Sequence, residues 1–128
     1  MTEQTVFALA GGEARVRELV DRFYDLMEGD AQFAGLRAMH PPSLEGSRDK
    51  LFWFLCGWMG GPDYYAQRIG EPRLRARHLP FAIATKERDQ WVQCMARAMQ
   101  EVQFCEPLRE RLMQSFANTA DWMRNRAD

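Results

Sequence analysis

Residues 72–99 read PRLRARHLPFAIATKERDQWVQCMARAM, and the stretch changes character at its middle. From Pro72 to Pro80 three arginines alternate, Arg73, Arg75 and Arg77, and His78 stands directly before Leu79-Pro80. Proline lacks an N–H and clashes with the preceding helical turn, so two prolines at this spacing break up any long helix. A short turn of helix over 73–77 is the most regular structure expected there. Beyond Pro80 the pattern is different. Trp91, Met95, Ala98, Met99 and Val102 recur at three- and four-residue steps, which predicts a helix over 85–102 with one buried face and Thr85 as its N-cap.

The chemistry-bearing residues of this stretch follow from that layout. A neutral imidazole nitrogen binds iron, and such a ligand needs a fixed position beside an apolar wall. Pro80 stiffens the chain after His78, and Leu79, Phe81 and Ile83 supply apolar surface. The alternative is a surface or capping histidine in a loop. The arginines before it are guanidinium forks that match carboxylates, or else a solvated basic face. Trp91 points inward on its helix, and an indole N–H can only donate.

The same reading extends outward. Downstream, Glu106-Pro107 opens a last helix, proline being well suited to a first turn, with Leu108, Leu112, Phe116, Thr119 and Met123 on its inner face. Upstream, Gly60-Gly61-Pro62 stops a helix that Ser43 caps, with Glu45 in its first turn, and that runs to about Met59. It carries two apolar stripes, Leu51, Phe54, Leu55 and Trp58 on one and Phe52, Cys56 and Met59 on the other, so it is expected to be covered on both sides. Pro41-Pro42 closes a short compact segment, Phe33 to His40, and the place of His40 at its end favours exposure. The first clear helix is predicted over 13–28, with Val16, Leu19, Val20, Phe23 and Met27 on one face; Gly29-Asp30 ends it. Tyr24, four residues after Val20, points to the core. Tyr24 and Trp91 then make either a pair of donors converging on a cavity, suited to an electron-rich ligand, or two core aromatics bonded to backbone carbonyls.

No strand pattern appears. The expected fold is all-α, one domain over 1–128, with four substantial helices and irregular segments that carry both histidines; Asp63 to Pro80 is the longer of these. Seventeen basic and eighteen acidic residues give a net charge of −1, which leaves no field to steer nucleic acid or an anionic membrane. Three scattered cysteines, Cys56, Cys94 and Cys105, lack metal-ligand spacing and cannot all pair, so reduced, inert thiols and a cytoplasmic setting are expected. No secretion signal is legible near the start. The longest uncharged run, Leu51 to Pro62, is well short of the ~20 residues a membrane span needs.

Taken together, these residues resemble the group II truncated haemoglobins of bacterial type. The stretch from Pro72 to Met99 is similar to that group's proximal histidine in an Arg-rich LRxRHxPFxI context, followed by ERDxWLxCM. GWMGGPDYY, Gly57 to Tyr65, resembles the glycine-rich end of its second long helix, and DRFYDLM, Asp21 to Met27, its first. The resemblance runs from about Gly11 to Trp122 and implies a two-on-two helical sandwich around haem b, iron protoporphyrin IX. His78 matches the iron's axial ligand. Tyr24 and Trp91 match the distal residues that stabilise a bound ligand. Arg77 and Tyr65, with Lys50 beside them, match positions near the haem propionates. Leu51, Phe54 and Leu55 match the wall over the distal face, and Ser47, one turn earlier, the position where ordinary globins hold a distal histidine. Phe81, Ile83 and Met95 are expected to add apolar lining. His40 departs from the commoner pattern, which has Phe or Tyr there, and is expected to enter the distal pocket as a third donor.

The implied function is binding, and in a wider sense transport, of dioxygen, with carbon monoxide, nitric oxide and peroxide as further ligands. The alternative is a peroxidase-like or nitric-oxide-detoxifying haem enzyme fed by an external reductase. A monomer or homodimer is expected.

Overall fold

The computed structural model describes residues 5–127. Eight helices follow in order: α1 (Val6–Ala10), α2 (Glu13–Gly29), α3 (Ala34–Ala38, entered through a 3-10 turn, Ala31–Phe33), α4 (Glu45–Trp58), α5 (Tyr64–Arg68), α6 (Leu74–His78), α7 (Thr85–Glu101) and α8 (Glu106–Trp122). Among the described residues there is no strand. The four long helices form the two-on-two sandwich: α2 packs on α4 and α7, and α7 packs on α8.

The apolar periodicity explains why. Val16, Leu19, Val20, Phe23, Tyr24, Leu26 and Met27 are all buried on α2. They meet Cys94, Met95, Ala98 and Met99 of α7, and Leu108, Leu112, Phe116 and Ala120 of α8 complete the same core. Burying a large aliphatic or aromatic side chain is worth about 1.5–3 kcal/mol, so this face dominates the fold's stability. Polar clamps secure the edges. Arg48 of α4 donates to the Asp21 carbonyl and carboxylate at 3.0 and 3.2 Å and to Asp25 at 2.7 Å, tying α4 to α2. Arg97 of α7 reaches Asp30 at 2.5 Å, and Arg22 of α2 pairs with Glu101.

Four expectations need correction. The segment 63–80 holds, besides the short helix expected over 73–77 and found as α6, a second one, α5, that was not expected. Helix α1, which no sequence pattern signals, docks where the chain leaves α4: Phe7 N–H donates to Met59 O at 2.8 Å, and the Phe7 ring lies so close to Gly61 that a Cβ there would sit 2.5 Å from it. The predicted caps sit one residue off. Leu44 is the N-cap of α4, while Ser43 Oγ accepts from Glu45 N–H at 3.3 Å. Ala84 is the N-cap of α7, and Thr85 is its first residue. Lastly, α4 is not covered evenly. Leu55, Cys56 and Met59 are buried, but Leu51, Phe52, Phe54 and Trp58 stay half-buried. The apolar stripe of Leu51, Phe54 and Trp58 therefore keeps surface that none of the described residues covers.

Candidate haem site

His78 closes α6, and its ring is fixed by one bond. Nδ1 lies 2.6 Å from the carbonyl oxygen of Leu74, one turn back. A carbonyl oxygen can only accept, so Nδ1 carries the proton and Nε2 presents a lone pair. No other polar group among the described residues contacts the ring. His40 repeats the device: its Nδ1 donates to Leu36 O at 2.9 Å, and its Nε2 also presents a lone pair. The two imidazoles lie within Coulombic range of each other. Burial holds the His40 pKa below the ordinary imidazole value, partly opposed by the bond to Leu36 and reinforced by Arg37 and His78. His40 is half-buried rather than exposed, and its ring meets the Tyr24 ring edge-on with centroids 5.9 Å apart. In this neutral form His40 is an acceptor.

Tyr24 is only 5% exposed. Burial drives its pKa up, against the pull of the Arg48 guanidinium 5.8 Å over its ring, so the phenol keeps its proton. Buried tyrosines usually give that proton to a partner, yet the Tyr24 hydroxyl makes no hydrogen bond among the described residues. The indole N–H of half-buried Trp91 also has none. Phe23 lies between the two, 5.0 Å from Tyr24 and 5.3 Å from Trp91, and Phe116 packs on Trp91 at 5.5 Å. Phe23 thus packs on both Tyr24 and Trp91.

The remaining expected site residues divide into two sets. Tyr65 is buried beneath the Arg77 guanidinium at 5.6 Å and packs edge-to-face on Phe54 at 6.3 Å, so α4, α5 and α6 meet there. Leu55, Met95 and Ile83 are buried, and Ser47 and Leu51 are half-buried. Lys50 is exposed, and no hydrogen bond or ion pair joins it to Arg77 or Tyr65. Phe81 is 42% exposed. Arg77 donates to Pro72 O at 2.8 Å and Glu71 O at 3.2 Å, while Arg75 turns to Arg124 O at 3.4 Å. Sequence reasoning missed Arg48 and Asn125, and read Phe23 only as a core residue. Arg48 lies on a helical inner edge and follows from periodicity once the partner helix is known; Asn125 carries no local signal. Cys94 gives its thiol proton to Phe23 O at 3.2 Å, and burial pushes it up to about 12 and Cys56 up to about 11. Neither is a thiolate at neutral pH.

The donor set suits a haem. One lone pair on His78 Nε2, two N–H or O–H donors without protein partners, and an uncovered apolar stripe on α4 are what a flat apolar ring with a coordinating iron requires.

Comparison with known proteins agrees. Residues 5–125 match the family model described as bacterial-like globin. The chain is 37% identical over 117 residues to Group 2 truncated hemoglobin YjbI of Bacillus subtilis, covering 91% of this chain and 86% of that one. The group II 2-on-2 hemoglobin of Agrobacterium tumefaciens superimposes with a TM-score of 0.95 at 38% identity, over 100% of this chain and 98% of that one. A truncated oxygen-avid haemoglobin from Bacillus subtilis gives 0.87 at 34% identity, over 95% and 100%.

Proposed function

The chain belongs to the bacterial-like globin family, among the group II two-on-two haemoglobins, and from that premise we propose that it binds dioxygen at haem b held by His78. The family implies a haem cofactor and binding of diatomic gases. The observation that carries the finer reading is the proton on His78 Nδ1, which leaves Nε2 as the free lone pair. Haem, when bound, would supply an iron able to take a diatomic ligand.

The chain's own residues do the rest. The Leu74 carbonyl holds the His78 ring and, by accepting from Nδ1, raises the basicity of Nε2. Tyr24 O–H and Trp91 N–H would donate to an electron-rich ligand held at that site. Bonds to a charged acceptor are worth about 1.5–3 kcal/mol each, so together they slow release by two to four powers of ten. The oxygen-avid character named for the Bacillus subtilis relative supports this reading. Leu51, Phe54 and Leu55 keep water from the ligand's side, and Arg77 above Tyr65 offers a cation to a propionate. Replacing His78 by Gly tests the centre: the histidine-ligated ferrous spectrum is expected to vanish and to return with added imidazole. An unaltered spectrum in His78→Gly overturns the assignment.

A second reading rests on His40. A neutral imidazole with an open lone pair beside a phenol can take up and return a proton, which peroxide chemistry needs. Peroxide turnover that falls in His40→Leu supports it, and unchanged turnover removes it.

A further inference from the structure

The helix that carries His78 is held in a way unlike the rest of the molecule. None of its residues is buried. It starts at Arg73, whose backbone is left-handed (φ 42°, ψ 53°), a conformation that costs a side-chain-bearing residue energy. It runs out into Leu79 and Phe81, two of the most exposed large apolar side chains. The hydrophobic effect therefore does little to fix this segment; the hydrogen bonds of Arg77 go to residues five and six positions back, and its guanidinium lies over the Tyr65 ring.

The long-range ties come from the chain just beyond α8. Asn125 Nδ2 donates to His78 O at 3.1 Å and to Phe81 O at 2.8 Å. Asn125 Oδ1 accepts from Ile83 N–H at 3.0 Å. The Asn125 backbone N–H donates to Ile83 O at 2.8 Å, and Arg126 N–H reaches the same carbonyl at 3.1 Å. Arg124 Nη1 donates to Thr85 Oγ1 at 3.1 Å where α7 begins. A primary amide offers two donors and one acceptor oxygen, and here all of them serve a single turn. The amide is anchored in turn, since Met123, two residues earlier, is buried in the core. Ile83, at the far end of the turn, is buried too.

We infer that Asn125 is a positioning residue: its amide clasps the turn from His78 to Ile83 and, together with the Leu74 carbonyl on Nδ1, sets the height and tilt of the imidazole. The inference rests on the reading of His78 as iron ligand. Without the clasp the ring still has its lone pair, but the backbone under it is free to shift.

Three variants of the haem-loaded chain test this: Asn125→Ala, Asn125→Asp and, in parallel, His78→Gly. Asn125→Ala removes all three side-chain bonds to the turn, together with the one that Oδ1 accepts from Arg126 Nη1 at 3.3 Å. Asn125→Asp keeps an acceptor for Ile83 N–H but sets a carboxylate against the His78 and Phe81 carbonyls. In both, the iron–histidine stretching band of the ferrous protein is expected to shift and broaden. Haem transfer to an excess of a tighter-binding apoprotein should quicken roughly tenfold, the worth of one or two hydrogen bonds. In the haem-free chain, amide exchange over 78–83 should quicken in Asn125→Ala while α2 and α7 exchange as before; in Asn125→Asp the Ile83 amide keeps most of its protection. His78→Gly decides the ligand reading independently. If it abolishes histidine ligation while both Asn125 variants keep the parent stretching band and transfer rate, the positioning role is overturned and the ligand reading stands. Faster exchange over 78–83 without any change in the band also overturns it, because the clasp then acts on the backbone alone.

Discussion

Tyr24 and Trp91 sit on helices of seventeen residues, α2 with seven buried positions and α7 with four, whereas His78 ends a helix of five with none. The first wall is made by burial and the second by hydrogen bonds. Tyr24 and Trp91 flank Phe23, which is fully buried, so their backbones move only if the core moves. His78 is placed by the Leu74 carbonyl within its own helix and by Asn125 from beyond α8. The difference suits the two proposed tasks. Donors aimed at a small ligand gain from a stiff setting, because preorganised dipoles need no rearrangement when charge appears. A metal ligand on a lightly anchored segment can be adjusted by a few side-chain bonds.

The largest effects should separate the two regions by stability. Phe23→Ala opens a cavity between Tyr24 and Trp91 and is expected to cost about 3–5 kcal/mol in urea unfolding of the haem-free chain. Leu79→Ala, 48% exposed, should stay within about 0.5 kcal/mol. Similar losses in both would end the distinction.

Next in size is ligand release. Tyr24→Phe and Trp91→Phe should each raise the oxygen dissociation rate, measured by stopped-flow displacement, by roughly one to two powers of ten. Tyr24→Phe should leave the stability of the haem-free chain nearly unchanged, since its hydroxyl has no protein partner to lose. Two unchanged release rates would remove the donors from the mechanism. A marked loss of stability in Tyr24→Phe would mean that the hydroxyl has a structural partner.

The smallest effect is in the pH dependence of folding. Burial lowers the His40 pKa in the folded chain below its ordinary 6.5. Between the folded value and 6.5 the unfolded chain binds the proton more readily, so stability rises with pH there and declines on acidification below about 6.5. For one proton the slope is at most about 1.4 kcal/mol per pH unit. The difference in unfolding free energy between His40→Leu and the parent, followed from pH 8 to 5, should show this slope; a difference independent of pH would place His40 in solvent.

Much of the stiff wall is legible in the sequence. Val16, Leu19, Val20, Phe23 and Met27 announce α2 by spacing alone, and the Pro72–Met99 motif carries His78 and Trp91 at recognisable positions. The soft side is less so. Helices α1 and α5 have five residues each, too few to show a period. The helix starts at Leu44 and Ala84 escape a reading of the sequence because a hydroxyl one residue away looks like the cap. The place of His40 before Pro41 points to the surface; the fold instead turns its ring against Tyr24.

Sequence alone determined the four long helices, most of the faces they bury, and that a tyrosine, a tryptophan and two histidines stand at places that resemble those of a haem protein. Those are local properties, set by a repeat of 3.6 residues and by a motif read along the chain. Only the tertiary structure decided which polar atoms remain without partners among the described residues, which ring His40 meets, and what steadies the histidine segment. The bonds from Asn125 to His78 and Ile83 span 47 and 42 residues. Contacts at that separation arise from how packed helices bring chain ends together, and no local pattern encodes them.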